Sequence, residues 1–234
     1  MKLNLLIAFA AAALLMPVMP AYAAPAAKAD AKAADAEPEV KVGPTDALKA
    51  KARKAKKPIY IKVAEAFKAA EMCDQPIFAF ILLDDPRSNI IGKKLLTHKI
   101  FQKDLAAKNV VLLRMKQLKR DAKNPKKIDT KGLKDPEFKL LENFGTDPKA
   151  VARAKRENKD EPKFDDASNY PSVICISPDG QKELFRLPDY DSEGGFGVWI
   201  STIVDLVKTA GIEPEISPLV QKVLDNPDDS KKWK

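Results

Sequence analysis

The residues that could carry chemistry in this chain of 234 residues are few: two cysteines, Cys73 and Cys175, and one histidine, His98. Thiol-disulfide exchange uses two cysteines close in sequence, the first at a helix N-terminus, where the helix dipole lowers its pKa. Cys73 and Cys175 are much too far apart in sequence to form such a pair. One histidine is also too few for a histidine-based metal site, since zinc ligands come in clusters of about three or four. The sequence therefore predicts no metal, no cofactor and no catalytic residues of these kinds.

The N-terminus has the pattern of a secretory signal peptide. Lys2 supplies a positive charge, the run from Leu5 to Met19 is almost wholly apolar, and Ala21-Tyr22-Ala23 is a small-x-small cleavage site. This pattern predicts a signal peptide over residues 1–23. We therefore expect a periplasmic or secreted protein with no transmembrane segment after cleavage. A retained N-terminal anchor is the alternative, although the apolar run is short for a membrane span.

The composition changes after residue 23. Residues 24–60 are rich in Ala, Lys, Asp, Glu and Pro, and they predict a flexible basic, Ala-rich linker because they lack the apolar residues that would bury a surface. This linker contains a basic segment, Lys49–Lys57. The net charge of the chain is +8, but no nucleic-acid motif accompanies it, so no nucleic-acid partner is predicted. A solvated surface is the favoured interpretation, and weak contact with an anionic envelope surface is the alternative.

Residues 61–211 show the order of elements of one α/β domain. A helical pattern runs to Cys73, and the continuous apolar run Ile77–Leu83 predicts a strand buried on both faces. A polar loop, a helix from about Ile90 to Lys108 and a second strand, Val110–Met115, follow. The strand–helix–strand unit that results is typical of two parallel strands joined by a right-handed crossover.

A charged segment then interrupts this order. Residues 118–169 predict insertions at the surface, with one short helix at Pro136–Phe144. The strand Ser172–Ile176 and the turn Ser177–Gly180 open a hairpin, because proline and glycine stand at the positions that a type I turn favours. A final amphipathic helix follows, and residues 212–234 predict a charged C-terminal tail.

The order of these elements and the stretch from Tyr170-Pro171-Ser172 to Pro178-Asp179-Gly180 resemble the thioredoxin-like superfamily, in particular its exported domains. The resemblance implies an α/β fold, with a thioredoxin-like central mixed sheet, flanking helices and charged insertions. In that family the proline before this strand is cis and faces the active-site loop. We therefore expect a cis bond between Tyr170 and Pro171, with a trans proline that merely opens a strand as the alternative.

The loop that carries the redox cysteines in that family has none here. The resemblance aligns Ser88 and Ile91 with the two cysteine positions, next to Arg87 and Asn89. A serine hydroxyl at a helix N-terminus is a good cap but far too weak an acid to replace a thiolate. The loop Arg87, Ser88, Asn89 and Ile91 is therefore interpreted as a degenerate active-site loop.

The resemblance also places Cys73 and Cys175 towards the end of the sheet opposite that loop. Two small buried side chains are the favoured interpretation. A structural disulfide between Cys73 and Cys175 is the alternative, limited by the narrow range of Cα separations that a disulfide allows.

The function that follows is an exported thioredoxin-like protein without the cysteine pair, which acts as a non-catalytic protein- or peptide-binding module of the cell envelope. Tyr170 and Arg87 are expected to border the cleft in which an extended peptide would lie beside Pro171. One alternative is a thiol-disulfide oxidoreductase, or another enzyme, that uses an atypical site. The other is an envelope structural protein that binds an anionic polymer through its basic segments.

Overall fold

The computed structural model of the protein describes residues 44–187 and 195–229. The predicted signal peptide, the first part of the predicted linker and the last residues of the predicted tail lie outside the described residues. The described residues belong to one compact unit. It therefore includes residues that the sequence assigned to a linker.

Helices α1 (Asp46–Ala55) and α2 (Val63–Cys73) form the N-terminal part of this unit. The Lys49 Nζ contacts the Asp74 carboxylate at 2.8 Å, and the Arg53 Nε donates to the Cys73 carbonyl at 2.8 Å. Helix α1 is therefore attached to α2 by hydrogen bonds, whereas the sequence predicted a flexible linker over residues 24–60 with a solvated helix in its basic segment. Basic residues of α1 bind acceptors at the C-terminal end of α2, an attraction that the helix dipole favours and that composition alone does not reveal.

Four strands form the central sheet: β1 (Ile77–Ile81), β2 (Val111–Arg114), β3 (Ser172–Ile176) and β4 (Glu183–Arg186). Their order across the sheet is β2-β1-β3-β4. Strand β2 is parallel to β1, while β3 is antiparallel to both β1 and β4. Tyr60 extends the outer edge of β2, because its N–H donates to Leu112 O and its carbonyl accepts from Arg114 N, each at 2.8 Å.

The connection between β1 and β2 is helical but irregular. It consists of α3 (Pro86–Ile91), π-helical turns at Gly92–Leu96 and at Ile100–Ala106, and α4 (Ala107–Asn109). The helical run is interrupted at Thr97 and His98, between the two π-helical segments, whereas the sequence predicted one continuous helix. Each segment still turns apolar side chains towards the sheet, and Leu95, Phe101 and Leu105 are buried.

The remaining helices follow β2 and the hairpin. Helix α5 covers Asp135–Phe144, α6 covers Pro148–Arg156, α7 covers Phe196–Thr209 and α8 covers Pro218–Asp225. A single 3₁₀ turn at Ala167–Asn169 precedes β3.

The alternation of side chains along β1 divides the core into two layers. Ile77, Ala79 and Ile81 face the layer formed with α2 and α5. Phe78 and Phe80 face the opposite layer, where the connection between β1 and β2 packs together with α7 and α8. A mixed sheet in this strand order, covered by helices on both faces, defines the thioredoxin-like α/β fold, and the fold class expected from the sequence is confirmed.

Two segments outside the expected core contribute to it. Val220 and Val223 of α8 are fully buried, so this helix packs into the core, whereas the sequence predicted a charged tail from residue 212 with one short helix in it. Their spacing of three residues places both side chains on the face that packs against the core. The charged segment 118–169 is not confined to the surface either, because Leu118, Ile128, Leu140, Leu141 and Phe144 are buried.

Candidate functional site

The candidate site lies where β1 ends and α3 begins. Asp85 is the N-cap of α3, and its Oδ1 accepts a hydrogen bond from Ser88 N at 2.8 Å. Pro86 follows as the first helical residue, a position at which proline stabilises a helix start. The expectation that Ser88 caps the helix is therefore corrected: the helix starts at the Asp-Pro pair, several residues earlier than the apolar periodicity indicated.

Ser88 lies inside the first turn of α3 and is fully buried. Its Oγ accepts a hydrogen bond from Leu83 N at 2.9 Å. The Ser88 side chain thus supplies a hydrogen-bond acceptor for the backbone of the segment between β1 and α3. A buried hydroxyl in this role has no access to a substrate.

The structure also shifts the positions at which a redox pair would stand. An attacking thiol needs the exposed N-terminus of the helix, and its partner lies three residues later. The residues at those positions are Asp85 and Ser88, rather than Ser88 and Ile91 as aligned from the sequence. Ile91 is buried at 3% exposure in the layer below the helix. The helix N-terminus favours an anion, and in this protein the anion is the Asp85 carboxylate.

The Tyr170–Pro171 peptide bond is cis, as expected. Ser172 pairs with Ile81 in the sheet, so Pro171 lies next to the end of β1 and close to the start of α3. Pro171 is half-buried, whereas Arg87 and Asn89 are exposed. Pro171 and the degenerate loop therefore both lie at the end of the sheet where β1 ends and β3 begins.

Tyr170 has a different role from the one expected. Its side chain is only 4% exposed, and its hydroxyl donates to the Phe164 carbonyl at 2.6 Å. Burial raises the pKa of this phenol. The expectation that the Tyr170 side chain borders the cleft is corrected, because the ring packs into the core layer of α2 and α5. Tyr170 therefore anchors the residue before Pro171 in the core.

Arg186 is a site residue that the sequence did not indicate. Its Nη2 donates to Phe144 O at 2.6 Å and to Glu183 Oε2 at 2.7 Å, and its Nη1 donates to the Ser172 hydroxyl. The Arg186 and Glu183 side chains are only 14% and 17% exposed. The Arg186 side chain thereby links Ser172 at the start of β3 to Phe144 at the end of α5, and Glu183 is its partly buried partner. An Arg three residues after a Glu is too common a spacing to reveal such a role.

Gln117 connects the chain after β2 to the same end of the sheet. Its Nε2 donates to Leu83 O at 3.0 Å and lies 3.5 Å from Asn89 Oδ1. The neighbouring Leu118 exchanges backbone hydrogen bonds with Leu82 and Asp84, each at 2.8 Å. The segment 116–119 is therefore held beside the degenerate loop, a second feature absent from the sequence interpretation.

Both cysteines are free and buried, so the alternative of a disulfide between Cys73 and Cys175 is not realised. Burial raises the pKa of Cys175 to about 12, and the nearby Glu183 carboxylate adds to the effect. Burial also raises the pKa of Cys73, against the opposing effect of Lys56. Cys175 pairs with Phe78 near the start of β1, at the end of the strand opposite α3. Neither thiol has the lowered pKa and the exposure of a redox nucleophile.

The remaining residues that could bind a metal or act as acids and bases have the following surroundings in the described parts of the chain. These residues contain no group of three or more His, Cys, Asp or Glu side chains that could hold a metal ion. His98 stacks on Phe196, with ring centroids 3.6 Å apart. Asp165 and Asp166 both contact the Lys127 Nζ at 2.8 Å and form an ion-pair cluster. None of the helices described has the length and apolar character needed to cross a membrane.

Comparisons with known proteins add little to this description. No protein-family model matches the chain, and no curated protein matches it. A solved structure described as a DsbH oxidoreductase has 15% sequence identity and a TM-score of 0.40. The match covers 66% of this chain and 88% of the other chain.

Proposed function

We propose that the chain is an exported thioredoxin-like protein of the cell envelope that binds an extended peptide and does not catalyse thiol-disulfide exchange. The observation that carries this proposal is the pair Asp85 and Ser88. A carboxylate and a buried hydroxyl occupy the N-terminal turn of the helix after β1, where exchange chemistry would need two thiols.

The surface left at this end of the sheet supports binding. Pro171 is half-buried and adjoins a loop whose Arg87 and Asn89 are exposed. The Tyr170 N–H is directed to Ala167 O at 3.3 Å, so an incoming main chain would bond to the Tyr170 carbonyl. Extended peptides bind folded domains through such main-chain hydrogen bonds, with side-chain pockets that add specificity.

The basic segment Lys49–Lys57 offers weaker support for the anionic-polymer alternative. Lys49, Arg53 and Lys56 donate to acceptors within the protein, and Lys57 contacts the Glu65 carboxylate at 2.8 Å. Cations that are already paired attract a polymer less strongly, because the polymer must replace the existing partner.

Binding is tested with an array of immobilised peptides of about a dozen residues in random sequences. We expect the wild-type protein to bind a subset, and Arg87→Ala/Asn89→Ala to weaken that binding by at least about fivefold. The control is Arg156→Ala/Asn124→Ala, which removes one exposed arginine and one exposed asparagine outside the cleft. Absence of wild-type binding to every peptide, or equal loss in both variants, would contradict the proposal.

The absence of catalysis has its own test. We expect no reduction of insulin by the wild-type protein above the uncatalysed rate, and the same for Cys73→Ser and Cys175→Ser. A maleimide should label neither thiol in the native protein and both thiols in denaturant, because both are buried. Insulin reduction that disappears with either cysteine would show that the protein is an oxidoreductase.

A further inference from the structure

A small pocket lies beside the degenerate loop. Its volume is about 150 Å³, and the residues that line it are Lys116, Gln117, Leu118, Lys119, Asp129, Gly132 and Leu133. Gln117 joins it to the loop through Leu83 O and Asn89. The volume is that of a single side chain rather than of a small-molecule cofactor, which needs at least about 300 Å³.

The position of the pocket relative to Pro171 follows from the sheet. Leu118 continues the line of β2 and pairs with Leu83, which continues the line of β1. Pro171 precedes β3, the next strand across. Adjacent strands are about 4.8 Å apart, so the pocket lies on the order of 10 Å from Pro171, the length of about three extended residues. One extended peptide can therefore lie beside Pro171 and place a side chain in the pocket.

The chemistry of the pocket is apolar at its base and cationic at its rim. Leu118 is 2% exposed and Leu133 packs against the core. Lys116 and Lys119 are exposed, and neither ammonium group has a partner among the residues that the structure describes. Asp129 is the one carboxylate in the lining, and it accepts a hydrogen bond from Lys131 N at 3.0 Å. Two lysines and one aspartate leave the rim with a net positive charge.

We propose that this pocket receives an acidic side chain of the bound peptide, so that the protein selects extended peptides that carry Glu or Asp near the residue beside Pro171. The proposal rests on the peptide-binding function above and names its substrate class. The methylene groups of a glutamate would contact Leu118 and Leu133, while its carboxylate would meet the Lys116 and Lys119 ammonium groups. Such charge-assisted contacts add specificity to main-chain binding that is otherwise independent of sequence.

The test uses matched peptides that differ at one position, which carries Glu, Gln or Lys. We expect the wild-type protein to bind the Glu peptide about fivefold more tightly than the Gln peptide, and the Lys peptide most weakly. Lys116→Gln/Lys119→Gln should bind the Glu and Gln peptides with equal affinity, because the two ammonium groups that distinguish them are absent. The control Lys123→Gln/Lys126→Gln makes the same change in net charge at exposed lysines outside the pocket and should keep the preference.

A second variant blocks the pocket without changing its charge. Gly132 lines the pocket, and a Cβ added there meets no atom within 4 Å, so the fold should tolerate Gly132→Leu, and we expect the larger side chain to cover part of the pocket. We expect this variant to lose the Glu preference, so that it binds the Glu and Gln peptides with equal and lower affinity.

The outcomes separate the two proposals. Binding to Glu and Gln peptides with equal affinity overturns the pocket proposal and leaves peptide binding intact. No binding to any peptide overturns both. A third probe, dextran sulfate, tests a polyanion: if Lys116→Gln/Lys119→Gln weakens its binding while wild type does not distinguish Glu from Gln peptides, the lysines serve a polymer and the pocket proposal is wrong.

Discussion

The Ser88 N–H donates to the Asp85 carboxylate at 2.8 Å, while the Ser88 hydroxyl accepts from Leu83 N at 2.9 Å. This relationship uses both residues to build the junction between β1 and α3. The helix start is stabilised by the Asp85 carboxylate and the buried Ser88 hydroxyl, so both positions contribute to the fold.

Removal of the cap should lower stability by a modest amount. Asp85→Ala is expected to reduce the free energy of unfolding by about 1 kcal/mol, because the Ser88 N–H loses its acceptor and the helix N-terminus loses its anion. Asp84→Ala removes a neighbouring exposed carboxylate and should change stability by less than about 0.5 kcal/mol. Urea denaturation measures both. Equal effects would show that Asp85 is not the cap.

A redox site should appear when thiols replace the two residues. Asp85→Cys/Ser88→Cys is expected to form an intramolecular disulfide and to reduce insulin, with the first thiol at a lowered pKa because it lies at the helix N-terminus. Ser88→Cys/Ile91→Cys places the pair inside the helix and into the core, and should remain inactive. Activity in the second variant and not in the first would contradict the position of the helix start.

Lys56 predicts a particular dependence of stability on pH. Its Nζ donates to Val110 O at 2.8 Å and to the Gln75 amide oxygen, and burial lowers its pKa from 10.5 to about 8. Between these two values the unfolded chain binds the extra proton, so stability contributed at this site rises as pH increases. Relative to Lys56→Met, the wild-type protein should gain about 2 kcal/mol between about pH 7 and about pH 10.

This comparison between wild type and variant removes the effects of titratable groups that do not interact with Lys56. Both proteins should carry Cys73→Ser, because Lys56 opposes the raised pKa of Cys73. Cys175 and Tyr170 have raised pKa values in the folded protein. Their stabilising contributions are therefore lost at high pH, in both proteins equally. A difference in unfolding free energy that does not change with pH would show that the Lys56 ammonium is not buried. Chemical denaturation at a series of pH values provides the measurement.

Replacement of Arg186, a mostly buried side chain on the edge strand β4, should lower the free energy of unfolding strongly. Arg186→Leu leaves the Glu183 carboxylate and the Phe144 carbonyl without their partner in a partly buried site, and we expect a loss of about 3 kcal/mol in unfolding free energy. Glu183→Leu/Arg186→Leu should recover part of this loss, because no buried charge remains unpaired. A double variant as unstable as the single one would show that the bonds to Phe144 and Ser172 dominate.

The sequence by itself determined the order of elements, the two-sided burial of β1 and the turn at Ser177–Gly180, because each depends on local periodicity or on turn residues. It also determined that no cysteine lies between Cys73 and Cys175. These are properties of short segments. Together with the resemblance of residues 170–180 to the thioredoxin-like superfamily, they predicted the fold class and the end of the sheet at which the candidate site lies.

Only the tertiary structure decided what the site residues do. Apolar periodicity placed the start of α3 several residues late, whereas the Asp85 side chain fixes it through one hydrogen bond. The role of Tyr170 depended on the direction of its ring, whose hydroxyl bonds to the Phe164 carbonyl. The role of α1 depended on hydrogen-bond acceptors at the end of α2. Contacts between residues far apart in sequence, such as Arg186 with Phe144 and Gln117 with Leu83, leave no local pattern, because they depend on how the strands and helices pack together.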